Sequence, residues 1–176
     1  MLRHLDDNRV VLRAAVDGVS PPLRETRPAP DRWSVAEVLE HLVRVETQLT
    51  RLLTMRLAEG QAAQPFEAEH ETSSVVATID NELLVDRSRR IVAGDHVQPR
   101  GEMDSAAAWT ALEATREKFR ALVAAQDGLA ISRVTFPHPV LGPINAYQWF
   151  VFAGTHEARH ADQIREIGRE LQANNG

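Results

Sequence analysis

Two histidines of this chain, His156 and His160, are spaced so that they could bind one metal ion. Histidines at this spacing lie one turn apart on the same face of a helix, so both imidazoles can reach one ion. At about 100° per residue, that face also contains Trp149, Phe152 and Ile167, so we expect it to point into the protein. Buried imidazoles need polar partners, and a metal ion is one such partner.

A third ligand is expected from His41, which belongs to a different predicted helix. His41 shares a helical face with Val38, Val45 and Leu52, an apolar stripe interrupted by one imidazole. Three neutral imidazoles leave coordination positions open for water or substrate, as in catalytic metal sites. A buried histidine that is only hydrogen-bonded is the ordinary alternative for His41 taken alone. The inward direction of all three rings favours the metal site.

The same stretch contains the His-Glu-x-x-His pattern of zinc peptidases, in which Glu157 would be the general base. A metzincin would have glycine and histidine where this chain has Gln163 and Glu166. Residues 161–176 are too few for another helix with a downstream glutamate ligand, and no earlier segment resembles a substrate-aligning sheet edge. At about 80° from the centre of the histidine face, Glu157 is expected to pair across a helix surface or to orient an imidazole. A peptidase is therefore disfavoured.

Apolar residues at helical spacing predict four long helices. Capping-box patterns, Ser34 with Glu37 and Asn145 with Gln148, begin two of them, and Asp104 is an expected N-cap. The predicted helices cover residues 2–18, 35–59 (ending at Gly60), 105–126 and 146–171. Long helices with a lengthy crossover between the second and third predict an all-α four-helix bundle, forming a single domain over residues 1–176.

The connections are expected to be less regular. Residues 61–74 are polar without a period and predict a loop, and residues 75–93 predict one or two short helices ended by Gly94. Residues 134–143 contain three prolines and a glycine, and are the expected place for a short extended segment. The stretch 86–90, which contains three arginines, is expected to be a solvated helix face.

Composition excludes several classes of function. There is no cysteine, which excludes disulfides, Cys-liganded zinc and a cysteine nucleophile, so thiol chemistry needs an external thiol. The net charge of −5, with scattered basic residues, argues against nucleic acid as a partner. The N-terminal residues lack a signal-peptide pattern, and the most apolar segment, 149–154, is too short to span a membrane, which takes roughly 20 residues. We therefore expect a cytoplasmic protein without a membrane partner.

In order and spacing over nearly the whole chain, the sequence resembles the DinB-like superfamily. The similar segments are residues 33–42 (Trp-Ser-Val-Ala-Glu-Val-Leu-Glu-His-Leu), residues 136–149, and residues 156–164 (His-Glu-Ala-Arg-His-Ala-Asp-Gln-Ile). The resemblance implies a four-helix bundle, often a homodimer, in which a histidine triad binds zinc, nickel or iron. The matching positions are His41, His156 and His160. Relatives include S-transferases and isomerases that use bacillithiol, mycothiol or glutathione, and some members are described as metal-dependent hydrolases.

The leading hypothesis is a metal-dependent enzyme that transfers a low-molecular-weight thiol to a small electrophile. A divalent metal would lower the pKa of the thiol and yield a thiolate near neutral pH. The alternatives are a hydrolase that uses metal-activated water and a non-catalytic stress protein that binds a metal or small ligand. No side chain is assigned a catalytic role. Imidazole ligands suit zinc, nickel, copper and iron alike, so they do not select the metal.

Most other polar and aromatic residues are expected to have structural roles or none. The ring of His138 is expected to be half exposed in a loop, with a place over the open side of the metal as the alternative. Gln163 is expected either to bind a ligand imidazole or to lie at the polar edge of the core. Trp33 and Trp149 are expected to anchor the core or a helix start. Arg159 and Asp162 are expected to be solvated. No role is assigned to the histidines in polar surroundings, His4, His70 and His96.

Overall fold

The fold is built from long helices, as the apolar periodicity predicted. A computed structural model describes residues 1–88 and 91–174. In that part of the chain the helices are α1 (Leu2–Asp17), α2 (Pro21–Arg24), α3 (Val35–Ala63), α4 (Asn81–Val85), α5 (Ser105–Ala124) and α6 (Ala146–Asn174). The remaining elements are 3-10 turns at Val75–Thr78 and Asp95–Val97 and strands β1 (Thr135–His138) and β2 (Gly142–Asn145). The prediction of an all-α four-helix bundle, formed by α1, α3, α5 and α6, is confirmed.

Two apolar clusters hold the four long helices together. Helix α1 packs mainly against α6 and α3 mainly against α5, while α3 also contacts α6. One cluster contains Leu53, Phe119 and Phe150, and the other contains Leu39 and Ile164. Each fully buried side chain of this size stabilises the fold by roughly 1.5–3 kcal/mol. Every long helix contributes to both clusters, so the inward residues between the clusters lie in the middle of the bundle.

The helix starts follow the local signals in the sequence. The hydroxyl of Ser34 accepts the Glu37 amide N–H at 3.2 Å, and the Glu37 carboxylate accepts the Ser34 amide N–H at 2.8 Å. Asp104 accepts the amide of the third residue after it at 2.7 Å. Asn145 and Gln148 exchange the same reciprocal bonds at 3.0 and 2.9 Å before α6. Each cap satisfies amides that a helix start leaves without partners.

Helix α3 runs past the glycine that was expected to end it. It ends at Ala63, so the predicted end at Gly60 is wrong, and the predicted loop begins three residues later than expected. A Cβ at Gly60 would lie 2.8 Å from Cγ2 of Val134 and 3.2 Å from the ring of Phe66. The glycine therefore permits close packing of later chain segments against the helix, and it does not act as a C-cap.

The crossover from α3 to α5 contains the short helices that were expected, but they end before Gly94. Residues 75–93 hold one 3-10 turn and α4, whose N-cap Asp80 accepts the Leu83 amide at 2.9 Å, and the described residues between 86 and 94 are not helical. Gly94 therefore ends no helix. Where α4 ends, the guanidinium of Arg159 in α6 donates to the carbonyl oxygens of Leu84 and Asp86. The expectation that Arg159 is solvated is also wrong, since it is half-buried.

The stretch that was expected to be a solvated helix face is only partly described. Arg87 lies outside any helix and pairs with Glu166 of α6 at 2.6 Å. Arg89 and Arg90 lie outside the described residues. The extended segment expected within residues 134–143 is present as the antiparallel β1–β2 hairpin, in which Phe136 lies opposite Ile144. Within residues 1–88 and 91–174, none of the helices combines the length and apolar character that crossing a bilayer requires.

Candidate metal centre

The three histidines predicted from the sequence converge in the structure. His41 comes from α3, and His156 and His160 come from successive turns of α6. One nitrogen of each ring lies within 4.8 Å of those of the other two. The Nε2 atoms of His156 and His160 are 3.1 Å apart, and the His41 ring centroid lies 5.4 and 4.9 Å from theirs. His41 and His160 are buried and His156 is half-buried. The cluster could hold one metal ion, and binding of an ion there stays a prediction.

Hydrogen bonds on the far side of two rings select the tautomer that a metal requires. Nδ1 of His41 donates to the carbonyl oxygen of Val97 at 2.8 Å. Nδ1 of His160 donates to Oε1 of Gln163 at 2.8 Å, which is the first of the two roles expected for that glutamine. In a neutral imidazole with Nδ1 protonated, Nε2 keeps its lone pair. Such bonds orient metal-binding histidines in known sites and raise their basicity.

The surroundings of the cluster favour neutral imidazoles. Burial lowers the pKa of His41, against the opposing effect of its bond to Val97. Burial also lowers the pKa of His156 and of His160 well below the ordinary value, and the neighbouring site histidines lower both further. The rings are therefore neutral near pH 7, the form that binds metals. Three neutral imidazoles fit zinc, nickel or iron as a donor set, so the residues present fit the metal that the sequence predicted.

Aromatic side chains flank the cluster on two sides. The Trp33 ring lies 5.1 Å from the ring of His41, and the Phe152 ring lies 5.2 Å from that of His156, measured between centroids. Trp149 is buried as expected, 5.5 Å from Phe152. These apolar rings lower the polarity around the imidazoles and limit the access of water to them.

His138 is not the half-exposed loop residue that was expected. It is 6% exposed, with its ring 4.5 Å from Phe152 and 5.1 Å from Trp149. Its Nδ1 accepts the amide N–H groups of Val140 and Leu141 at 3.2 Å each. Burial lowers its pKa to about 4. His138 therefore closes the β hairpin, and Phe152 contacts both its ring and the ring of His156.

Glu157 pairs with residues of other helices, as one of its two expectations required, but in a buried ion-pair network and not at a helix surface. Its Oε1 lies 2.6 Å from Nη2 of Arg9 and 2.8 Å from Nη2 of Arg116. Arg116 also binds Glu46 at 2.6 Å. Both carboxylate oxygens of Glu157 accept hydrogen bonds from Arg9, so neither is free to take a proton from a metal-bound water, which further disfavours a peptidase.

Sequence reasoning missed this four-residue network, to which each long helix contributes one residue. The network lies between the two apolar clusters, and a water-sized cavity of about 10 Å³, lined by Glu46, Glu157 and His156, separates it from the candidate site. The sequence contains a signal for this network, because each of its charged residues interrupts an apolar stripe at helical spacing. Arg9 lies between Leu5 and Leu12, for example.

Smaller expectations have mixed outcomes. His4 is half-buried, and its Nε2 lies 3.1 Å from the carbonyl oxygen of Val151 and 3.2 Å from Oγ1 of Thr155, so it joins α1 to α6 by contacts that the sequence did not indicate. Asp162 is exposed as expected and pairs with Arg165 of its own helix. His70 and His96 are exposed.

The fold and the cluster define a class of protein, a four-helix bundle with a buried histidine triad between α3 and α6. Residues 4–164 match the family model described as the DinB superfamily, and the chain belongs to that superfamily. It is 28% identical over 156 residues to "Uncharacterized protein YuaE" of Bacillus subtilis (strain 168), a match that covers 88% of this chain and 89% of that protein. Family membership and the triad together indicate a metal-binding protein.

Proposed function

We propose that this protein is a metal-dependent enzyme that transfers a low-molecular-weight thiol to a small electrophile. The observation that supports the proposal is the convergence of three neutral imidazoles, of which His41 and His160 are buried and oriented by bonds to Nδ1. His41, His156 and His160 would hold zinc, nickel or iron. When bound, a divalent ion lowers the pKa of a coordinating thiol, so that a thiolate is available near neutral pH.

The chain itself supplies the surroundings of the reaction. It contains no cysteine, so the thiol comes from outside. His156 is the least buried residue of the three described ligands, so we expect thiol and electrophile to approach from its side. Phe152 and Trp33 exclude water and offer apolar surface to the electrophile. In the transfer, the thiol sulfur bonds to the electrophilic carbon, a leaving group departs with its bonding electron pair, and the thiol proton passes to solvent.

Removing one ligand tests this proposal. His160→Ala should lose the bound metal, measured by elemental analysis of purified protein, and lose transfer of glutathione to 1-chloro-2,4-dinitrobenzene, measured by absorbance. The matched control is His70→Ala, which removes an exposed histidine and should retain both. Circular dichroism checks that both variants are folded.

Other outcomes separate the competing functions. Undiminished transfer by metal-free protein would contradict the proposal. Metal-dependent turnover of a p-nitrophenyl ester without added thiol would indicate the hydrolase instead. Metal binding with neither activity on these probes would favour a non-catalytic binding protein. A homodimer and a cytoplasmic location stay predictions from the sequence.

A further inference from the structure

The residue before His41 holds the end of the crossover against α3. Glu40 is fully buried, and its carboxylate accepts the backbone N–H groups of Arg100, Gly101 and Glu102 at 3.0, 2.8 and 3.2 Å. Arg44, one turn further along α3, donates to the same carboxylate at 2.9 Å. A buried carboxylate that accepts several charge-assisted hydrogen bonds is held strongly in place.

The backbone of the crossover is shaped to bind this carboxylate. Three successive N–H groups that point at one anion form a nest, a concave arrangement that requires a residue in the left-handed region. Gly101 has φ of +71° and supplies that conformation at low cost. Nothing lies within 4 Å of a Cβ built on this glycine, so its backbone conformation, and not crowding, favours glycine here.

The same segment provides the hydrogen-bond acceptor of a metal ligand. Val97, whose carbonyl oxygen accepts from Nδ1 of His41, precedes the nest by only three residues. Residues 97–102 thus contact α3 at two adjacent positions, a backbone oxygen on His41 and backbone amides on Glu40. Fixing one contact fixes the other, because so short a stretch of chain has little freedom between them.

We propose that Glu40 is a positioning residue of the metal site. By binding the amides of residues 100–102, it holds the Val97 carbonyl against Nδ1 of His41 and keeps Nε2 of that ring directed at the other two imidazoles. The inference rests on the proposed metal site.

Replacing the carboxylate tests the inference. Glu40→Gln puts an amide group where an acceptor oxygen is needed, so it should weaken zinc binding by about tenfold, as loss of an outer partner of a ligand does. The affinity is measured by competition with a chromophoric chelator. The matched control is Glu59→Gln, which makes the same change on the same helix in a glutamate that also pairs with an arginine one turn away. The control should bind zinc like the unmodified protein.

A double-mutant cycle separates positioning from a general loss of structure. His156 and His160 leave a residual zinc affinity in a His41→Ala background, which titration with excess zinc measures. If Glu40 acts through His41, Glu40→Gln should cause no further loss of that residual affinity. The same tenfold loss in that background would overturn the inference. In the metal-free protein, ¹⁵N NMR of the His41 ring should show the Nδ1-protonated tautomer, and Glu40→Gln should reduce its population.

A second pair of variants disturbs the nest from the crossover side, which keeps the test usable if Glu40→Gln does not fold. Gly101→Val opposes the positive φ and should also weaken zinc binding about tenfold. Gly128→Val is its control, because Gly128 has φ of +74° and equally open surroundings but lies in a distant turn. Equal affinities of these two variants would contradict the positioning role. Failure of the unmodified protein to bind zinc, nickel or iron would instead contradict the proposed function.

Discussion

Arg116→Met should destabilise the protein far more than removal of a surface arginine. The guanidinium of Arg116 is 5% exposed and lies 2.6 Å from Glu46, 2.8 Å from Glu157 and 3.0 Å from the carbonyl oxygen of Leu5. Methionine fills similar apolar space but leaves two carboxylates with only one cation, Arg9, at 2.6 and 3.4 Å. Breaking a buried pair costs about 3–5 kcal/mol, and the remaining arginine places the expected loss at the lower end, about 3 kcal/mol.

The loss should depend on pH in a defined direction. Burial raises the pKa of Glu46, while the charge of Arg116 lowers it, so the variant should have a still higher pKa at this carboxyl group. When the pKa of a carboxyl group is higher in the folded protein than in the unfolded chain, ionisation of the group destabilises the fold. This loss of stability grows as the pH rises from the unfolded pKa to the folded pKa. The difference in free energy of unfolding between variant and unmodified protein should therefore be smaller at about pH 5 than at about pH 8.

The assay is urea unfolding of metal-free protein at both pH values. Taking the difference from the unmodified protein cancels the protonation of the histidines, which both proteins share. A loss of about 3 kcal/mol corresponds to a fall in melting temperature of roughly 6–12 °C for a chain of this size. The matched control is Arg120→Met, one turn further along α5, because Arg120 pairs with the exposed Asp6 at the surface and should contribute less than about 1 kcal/mol. Equal losses for the two variants, or an effect of Arg116→Met that does not change with pH, would refute the reasoning.

Two further predictions concern acid stability and helix packing. Metal-free protein should lose stability below about pH 6.5, because burial lowers the pKa of His138 to about 4 and lowers those of the three site histidines. A histidine with a depressed folded pKa contributes stability above its unfolded pKa that is lost as the pH falls through the folded one, so unchanged urea midpoints between about pH 8 and about pH 5 would contradict this. Gly154→Ala should destabilise by about 1–3 kcal/mol in urea unfolding, because its Cβ would lie 2.7 Å from the His4 ring. Gly18→Ala, with its nearest contact at 3.4 Å, is the control, and equal stabilities would show that α1 moves freely away from α6.

Features that depend on neighbours in the chain were predictable from the sequence. Ser34 and Asp104 each cap a helix by accepting the amide N–H three residues later, so the residue types at these positions are enough to predict the helix starts. The long helices follow from the spacing of apolar residues, and the pairing of His156 with His160 follows from the helical period. Helix ends were less predictable, because the role of Gly60 depends on Val134, which is distant in the chain.

The chemical type of the candidate site and the helix faces that bear it were thus determined by the sequence. Only the tertiary structure decided that His41 meets the α6 pair, that the carbonyl oxygen of Val97 accepts a hydrogen bond from Nδ1 of His41, and that Glu157 pairs with Arg9 across 148 positions of sequence. The physical reason is that helical periodicity selects the inward face of each helix separately. The rotation and height at which two such faces meet depend on how the whole core packs, and no local pattern encodes that packing.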